Sequence, residues 1–121
     1  MMGAEMSDCL FCSIVRGDVP SSRVAESEHA LAFRDIAPAA PVHVLVVPKR
    51  HVPSAHHVAD ADAHLVGEVV RLAQQVAVLE GIDGEDRGYR LVFNVGPDAQ
   101  MSVAHLHLHV LGGRAMGWPP G

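Results

Sequence analysis

The sequence predicts an α+β domain in which an antiparallel sheet of about five strands carries one long and one short helix. Three observations predict it. Residues 61–80 alone repeat apolar side chains at helical spacing over several turns. Several short segments rich in β-branched residues are bounded by proline or glycine. Helices and strands do not alternate in the β-α-β order that builds a parallel sheet.

The first element is a short helix beginning near Cys9. Asp8 is placed to cap it, Leu10, Ile14 and Val15 give it an apolar side, and Gly17 ends it. Pro20, Ser21 and Ser22 then turn the chain. Residues 25–34 read as extended chain with a turn near Ser27-Glu28, which makes two strands. Residues 36–41 form a connector, because Pro38 and Pro41 remove donors and restrict φ. Residues 42–48 make a strand that is apolar almost throughout, so both faces should be covered. His43, Leu45 and Val47 share one face, and Val44 and Val46 the other.

In the long helix, Leu65, Val66, Val69, Leu72, Ala73, Val76 and Leu79 form the buried stripe. Asp60 or Asp62 caps its start and Gly81 follows its end. Gly67 is tolerable there if another backbone packs closely against it. Residues 88–95 make the fourth strand, with Tyr89, Leu91 and Phe93 alternating with Arg90, Val92 and Asn94. A loop at 96–100 leads into the last strand, residues 102–111.

A chain of 121 residues fits one domain, here 9–121, with 1–8 a flexible N-terminus. A chain of this length needs no disulfide staples to hold a core. The net charge of −5 argues against a nucleic-acid or anionic-membrane partner, since Lys49, Arg50 and Arg114 are too few and scattered to make a basic face. No segment approaches the ~20 apolar residues that span a bilayer, and no leader pattern opens the chain. The expected compartment is the cytoplasm. There Cys9 and Cys12 stay reduced, to pack or to hold a metal.

Nine residues are histidine, and three of them alternate in His105-Leu106-His107-Leu108-His109. On a strand these three share one face, about 6.5–7 Å apart, while Leu106, Leu108 and Val110 face a core under the long helix. Two chemistries suit such a row. Neutral imidazole is the commonest protein metal ligand, so the three could form a tripod. Neutral imidazole is also a nucleophile at phosphorus near pH 7, provided its second ring nitrogen carries a held proton. His29, His56, His57 and His64 read as surface residues.

The run His105-Leu106-His107-Leu108-His109-Val110-Leu111 resembles the histidine-triad motif of the histidine triad (HIT) superfamily. Leu31-Ala32-Phe33-Arg34-Asp35-Ile36 and Pro41-Val42-His43-Val44-Leu45-Val46-Val47-Pro48-Lys49-Arg50-His51 resemble that superfamily too. The tail, Leu111-Gly112-Gly113-Arg114-Ala115-Met116-Gly117-Trp118-Pro119-Pro120-Gly121, is similar to the Hint branch, the nucleoside phosphoramidases. The resemblance runs from about Cys9 to the end of the chain and implies a HIT-like fold.

It implies that His107 attacks the α-phosphorus of a nucleoside 5′-phosphoramidate, and that water then hydrolyses the nucleotidyl-histidine. No cofactor is required for that chemistry. By the same resemblance His109 lines the phosphate site, and Ser102 hydrogen-bonds the phosphate and leaving group. Asn94 contacts the nucleotide, Phe33, Asp35 and Ile36 form the base and ribose pocket, and His43 supports the triad from behind. Plainer roles also fit: Asp35 capping the turn into Pro38, Asn94 closing a loop, Phe33 as core, and Ser102 as a turn residue.

Five positions depart from close relatives. Gln100-Met101-Ser102 stands for Gly-Gln-Ser, Ala104 for an aromatic residue, and Arg34 and Gly117 for histidines.

The pair Cys9-X-X-Cys12 cannot complete a tetrahedral site alone. In triad proteins carrying that pair, equivalent positions bind a structural zinc, which implies Cys9, Cys12, His51 and His105 here. The expected ligand is a purine nucleotide such as AMP or GMP, and the expected assembly is a homodimer that joins two sheets. Rival readings are a dinucleoside polyphosphate hydrolase or nucleotidyl transferase of the same superfamily, a metal-dependent hydrolase, and a nucleotide-binding regulatory module.

Overall fold

The structure is a computed structural model, and it describes residues 9–121. The expected Asp8 cap and flexible residues 1–8 lie outside the described residues. Helix α1 is Leu10–Arg16. Strands β1 (Arg23–Glu26), β2 (Ala30–Arg34) and β3 (Val42–Pro48) follow, then helix α2 (Ala63–Leu79) and strands β4 (Tyr89–Val92) and β5 (Leu108–Gly112). The five strands form one antiparallel sheet in the order β1-β2-β3-β5-β4, as the α+β reading expects.

The sheet divides the molecule. On one face Ala30, Ala32, Val44, Val46, Leu108 and Val110 pack under α2, through Val69, Leu72, Ala73, Val76 and Ala77. On the other, Leu31, Phe33, Leu45 and Val47 pack against Phe11 and Ile14 of α1. The alternation of β3 is therefore real, and both faces are covered as expected. Because β3 lies at the centre, with β2 and β5 on either side, its α1 face is where chemistry can be held by the whole sheet.

Several boundaries differ from expectation. Helix α2 starts at Ala63, after a 3₁₀ turn at Asp60–Asp62, and neither aspartate caps it through its side chain. The turn already supplies an acceptor, since the Ala63 N–H donates to the Asp60 carbonyl. Asp62 instead lies 3.3 Å from Arg50. Leu79, expected in the buried stripe, is 63% exposed, and Leu10 of α1 is also exposed. The α1 cap position is Cys9, whose Sγ accepts from the Cys12 N–H.

Apart from its chain neighbours and the helix's own backbone, no atom lies within 4 Å of where a side chain at Gly67 would begin, so close packing by another backbone does not explain that glycine. Gly67→Ala should therefore raise stability by about 0.5–1 kcal/mol through helix propensity. Urea denaturation checks this; a lower midpoint would contradict it.

The largest difference is the last strand. Pairing begins only at Leu108, not at Ser102. Pro48 ends β3 without a backbone donor, and its carbonyl is taken by the His105 ring at 2.9 Å. The ladder therefore has no partner left for residues 102–107. Leu106 instead donates its N–H to the Val52 carbonyl at 2.6 Å. Strand β4 likewise stops at Val92 rather than continuing to Val95, because β5 no longer runs beside it.

Arg34 ends β2 with a two-pronged ion pair to Glu80, at 2.6 and 3.0 Å. It ties the end of β2 to the residue that follows α2.

Candidate functional site

Only His109 of the three alternating histidines sits on a paired strand, opposite Leu45 of β3 and Val92 of β4. His105 and His107 precede it in irregular chain. Phe11 of α1 meets both edge-to-face, with ring centroids 5.9 Å from His105 and 5.1 Å from His107. All three rings therefore keep to the α1 face, while Leu106 packs with Val52 and Leu65. The shared face survives although the regular strand does not.

The three rings diverge in their partners. His107 is buried, and its Nδ1–H donates to the His105 carbonyl at 2.7 Å. That bond fixes the tautomer and leaves a lone pair on Nε2. His109 is oriented by a relay. The Ala39 N–H donates to His43 Nδ1 at 2.9 Å, so neutral His43 carries its proton on Nε2. That proton points at His109 Nδ1, 2.9 Å away. His109 in turn carries its proton on Nε2, with the Asn94 side-chain amide 3.4 Å off.

Burial, with His107 and His43 nearby, holds the His109 pKa down to about 4. Burial also lowers that of His43, against the opposing carboxylate of Asp35. Asp35 Oδ1 accepts from the Ala37 N–H at 2.8 Å, and Oδ2 lies 3.4 Å from His43 Nε2. Its turn-capping role is thus observed, with one oxygen left toward the site. Asp35, His43 and His109 come close enough to hold a metal ion. The proton that the Ala39 amide forces onto His43 Nε2 occupies that place instead.

Phe33, Asp35, Ile36, Ser102, His107 and His109 line one cavity of about 250 Å³. Six of the expected residues are thus brought together, with Asn94 beside His109 and His43 behind it. Ile36 is fully exposed at the rim and Phe33 is buried in the wall. The volume lies just below the ~300–1,000 Å³ of ordinary ligand pockets. The sequence reading missed two participants. Phe11 could have been found from its i, i+3 pairing with Ile14, but the Ala39 amide leaves no sequence signal.

His105 belongs to a different centre. Its Nε2–H donates to the Pro48 carbonyl, so its Nδ1 lone pair faces the cysteines. The ligand atoms of Cys9, Cys12, His51 and His105 all lie within 4.8 Å of one another. His105 Nδ1 is 3.3 Å from Cys9 Sγ, 3.5 Å from Cys12 Sγ and 3.2 Å from His51 Nδ1. Cys12 Sγ is 3.3 Å from His51 Nδ1. Bond lengths of ~2.0–2.1 Å to nitrogen and ~2.3 Å to sulfur give tetrahedral edges of about 3.3–3.6 Å between donors of these kinds. The four residues fit, and they can bind a metal ion. The tripod of His105, His107 and His109 is not formed.

His105, like His109, is held by burial at about 4 in the metal-free chain, against 6.5 for free imidazole. The unfolded chain therefore binds more protons between those values. Stability present above pH 6.5 is lost as pH falls toward 4. Urea midpoints of metal-free protein should drop from pH 7 to pH 5; equal midpoints would refute this.

The loop before the triad contains one strained residue. Gln100 has φ 60°, the left-handed region that favours glycine. Holding a non-glycine residue there costs about 1–2 kcal/mol.

A family model described as HIT domain matches residues 16–116. An uncharacterized HIT-like protein of Synechococcus elongatus is 41% identical over 114 residues, covering 94% of this chain and 97% of its own. Among solved structures, a HIT family hydrolase from Legionella pneumophila aligns with TM-score 0.88 and 46% identity, covering 94% of this chain and all of its own. A histidine triad nucleotide-binding protein from Candida albicans aligns with TM-score 0.79 and 29% identity, over 93% of this chain and 83% of its own.

Proposed function

The chain belongs to the HIT-domain family, and on that premise we propose that it is a Hint-like nucleotide hydrolase cleaving nucleoside 5′-phosphoramidates. The observation that carries the proposal is the His107 tautomer. With Nδ1–H tied to the His105 carbonyl, Nε2 is left with its lone pair, and His107 lines a cavity of about 250 Å³. The names of the hydrolase and nucleotide-binding relatives support the same reading.

In the proposed reaction Nε2 of His107 attacks the α-phosphorus. A P–N bond to histidine forms, the P–N bond to the leaving amine breaks, and the amine departs with a proton. Ser102, on the cavity wall, hydrogen-bonds the phosphate and gives its hydroxyl proton to the leaving nitrogen, taking one back from the water that attacks next. His109 donates its Nε2–H to a phosphate oxygen as a neutral ring, which its depressed pKa keeps available at pH 7. Phe33 and Ile36 hold the base, and the free oxygen of Asp35 accepts from the ribose. Asn94 contacts the nucleotide. Water then attacks phosphorus, releasing AMP or GMP and restoring His107.

A zinc ion held by Cys9, Cys12, His51 and His105 serves structure, since four protein ligands leave no open position. Residues 9–121 act as one domain, in the cytoplasm where the cysteines stay reduced. The chain forms a homodimer by pairing β4, an edge strand with Leu91 exposed and Val95 exposed just beyond it.

The test is covalent trapping. Adenosine 5′-phosphoramidate, quenched in base where phosphohistidine survives, should leave a nucleotidyl adduct on the His107 peptide. Turnover without any adduct on His107 would refute the mechanism, and faster cleavage of diadenosine polyphosphates would refute the substrate class.

A further inference from the structure

Two cysteines that take no part in the displacement touch the residue that holds its nucleophile. Cys9 and Cys12 stand three apart at the start of α1, and the Cys12 N–H donates to Cys9 Sγ at 3.4 Å. Their sulfurs lie within 4.8 Å of each other. A cavity of about 610 Å³ opens onto Cys9, His51 and Ser102, and Cys9 is partly exposed there. Small solutes can therefore reach the sulfur. Residues three apart on a helical turn are neighbours with Cβ atoms about 5–6 Å apart. A disulfide needs about 3.5–4.5 Å, a modest closure at a helix end.

We propose that Cys9 and Cys12 form a site of reversible oxidation by peroxides, which controls the candidate active site through His105. The proposal rests on the reading of His107 as nucleophile. Peroxide first oxidises one thiolate to a sulfenic acid: an S–O bond forms, the O–O bond breaks, and hydroxide leaves. The second thiolate attacks that sulfur, the S–S bond forms, and the oxygen leaves as a second hydroxide. Solvent protons convert both hydroxides to water. The two sulfurs lose two electrons and the peroxide gains them.

The disulfide offers no thiolate, so the donor set falls to His51 and His105, too few for a closed site. His105 then keeps its Nε2–H on Pro48 and its edge contact with Phe11, but loses its hold through Nδ1. Its carbonyl is the acceptor that fixes His107, so movement of His105 passes directly to the nucleophile.

The test uses zinc-loaded protein treated with hydrogen peroxide. A chromophoric chelator reads released zinc, peptide mass spectrometry reads the Cys9–Cys12 link, and phosphoramidate turnover is followed in parallel. Zinc should leave as the disulfide forms, and turnover should fall about tenfold or more. Dithiothreitol with zinc should restore both. His107→Ala must still release zinc and form the disulfide, since neither step needs the nucleophile.

If the reduced protein turns over no phosphoramidate, the functional reading fails by itself. The coupling is then read from the His107 Nδ1–H proton resonance, which must shift when zinc leaves. Zinc retained in the disulfide form, overoxidation of Cys9 without a disulfide, or unchanged turnover with an unshifted resonance would each overturn the proposal.

Discussion

His107→Ala should lower kcat by about 10⁴–10⁶-fold, the scale seen when a nucleophile that works as part of a unit is removed. No neighbour can replace it. His109 accepts at Nδ1 from His43 and carries its proton on Nε2, so it has no lone pair to offer phosphorus. His105 faces the cysteines. The substitution removes one buried ring and its edge contact with Phe11, a loss of about 1–3 kcal/mol that a domain held by a five-stranded sheet should survive. Nucleotide affinity should change little, because Phe33, Ile36 and Asp35 are untouched. Steady-state kinetics and calorimetric AMP binding check both halves. A residual rate within tenfold of the parent would remove His107 from the mechanism.

Removing the metal should lower the melting temperature by about 10 °C or more. Helix α1 has seven residues, too few to persist alone. The four ligands fasten it to the chain after β3 and to His105, so the metal closes contacts far apart in sequence. Structural zinc sites contribute several kcal/mol to folding, and each kcal/mol moves the melting point of a domain this size by about 3–5 °C. Burial pushes the metal-free Cys12 thiol up to about 11. Loading therefore expels a proton from it, and affinity should weaken as pH falls. Chelator treatment and Cys12→Ser should give matching drops in differential scanning calorimetry. An unchanged melting point in both would show that the cluster holds no structural metal.

Much of this was legible in the sequence, for identifiable reasons. Strand β3 was readable because its β-branched run is long and bounded by prolines. Helix α2 was readable because its period is set by one buried face. The His–Leu alternation gave the correct side for each residue at 105–110, since side-chain direction follows the backbone zigzag even where no ladder forms. It could not give the start of β5, which depends on a side chain: the His105 ring takes the Pro48 carbonyl that a longer ladder would need. Leu79 misled because the buried side of the last turn of α2 runs through Val76 and Ala77 instead. The division of the three histidines between two centres came from resemblance. Its physical cause lies in bonds to backbone carbonyls and amides, to which residue identity is nearly blind.

The Ala39 amide gives that blindness a consequence. Two facing imidazoles can share a proton in either direction with identical heavy-atom positions. A main-chain N–H can only donate, so it makes the pair one-way and aims His109's proton at the cavity. The polarity of the site is thus written in the backbone and is indifferent to the side chain at position 39. Every replacement keeps it except proline, the residue already standing at 38 and 41 in the same connector.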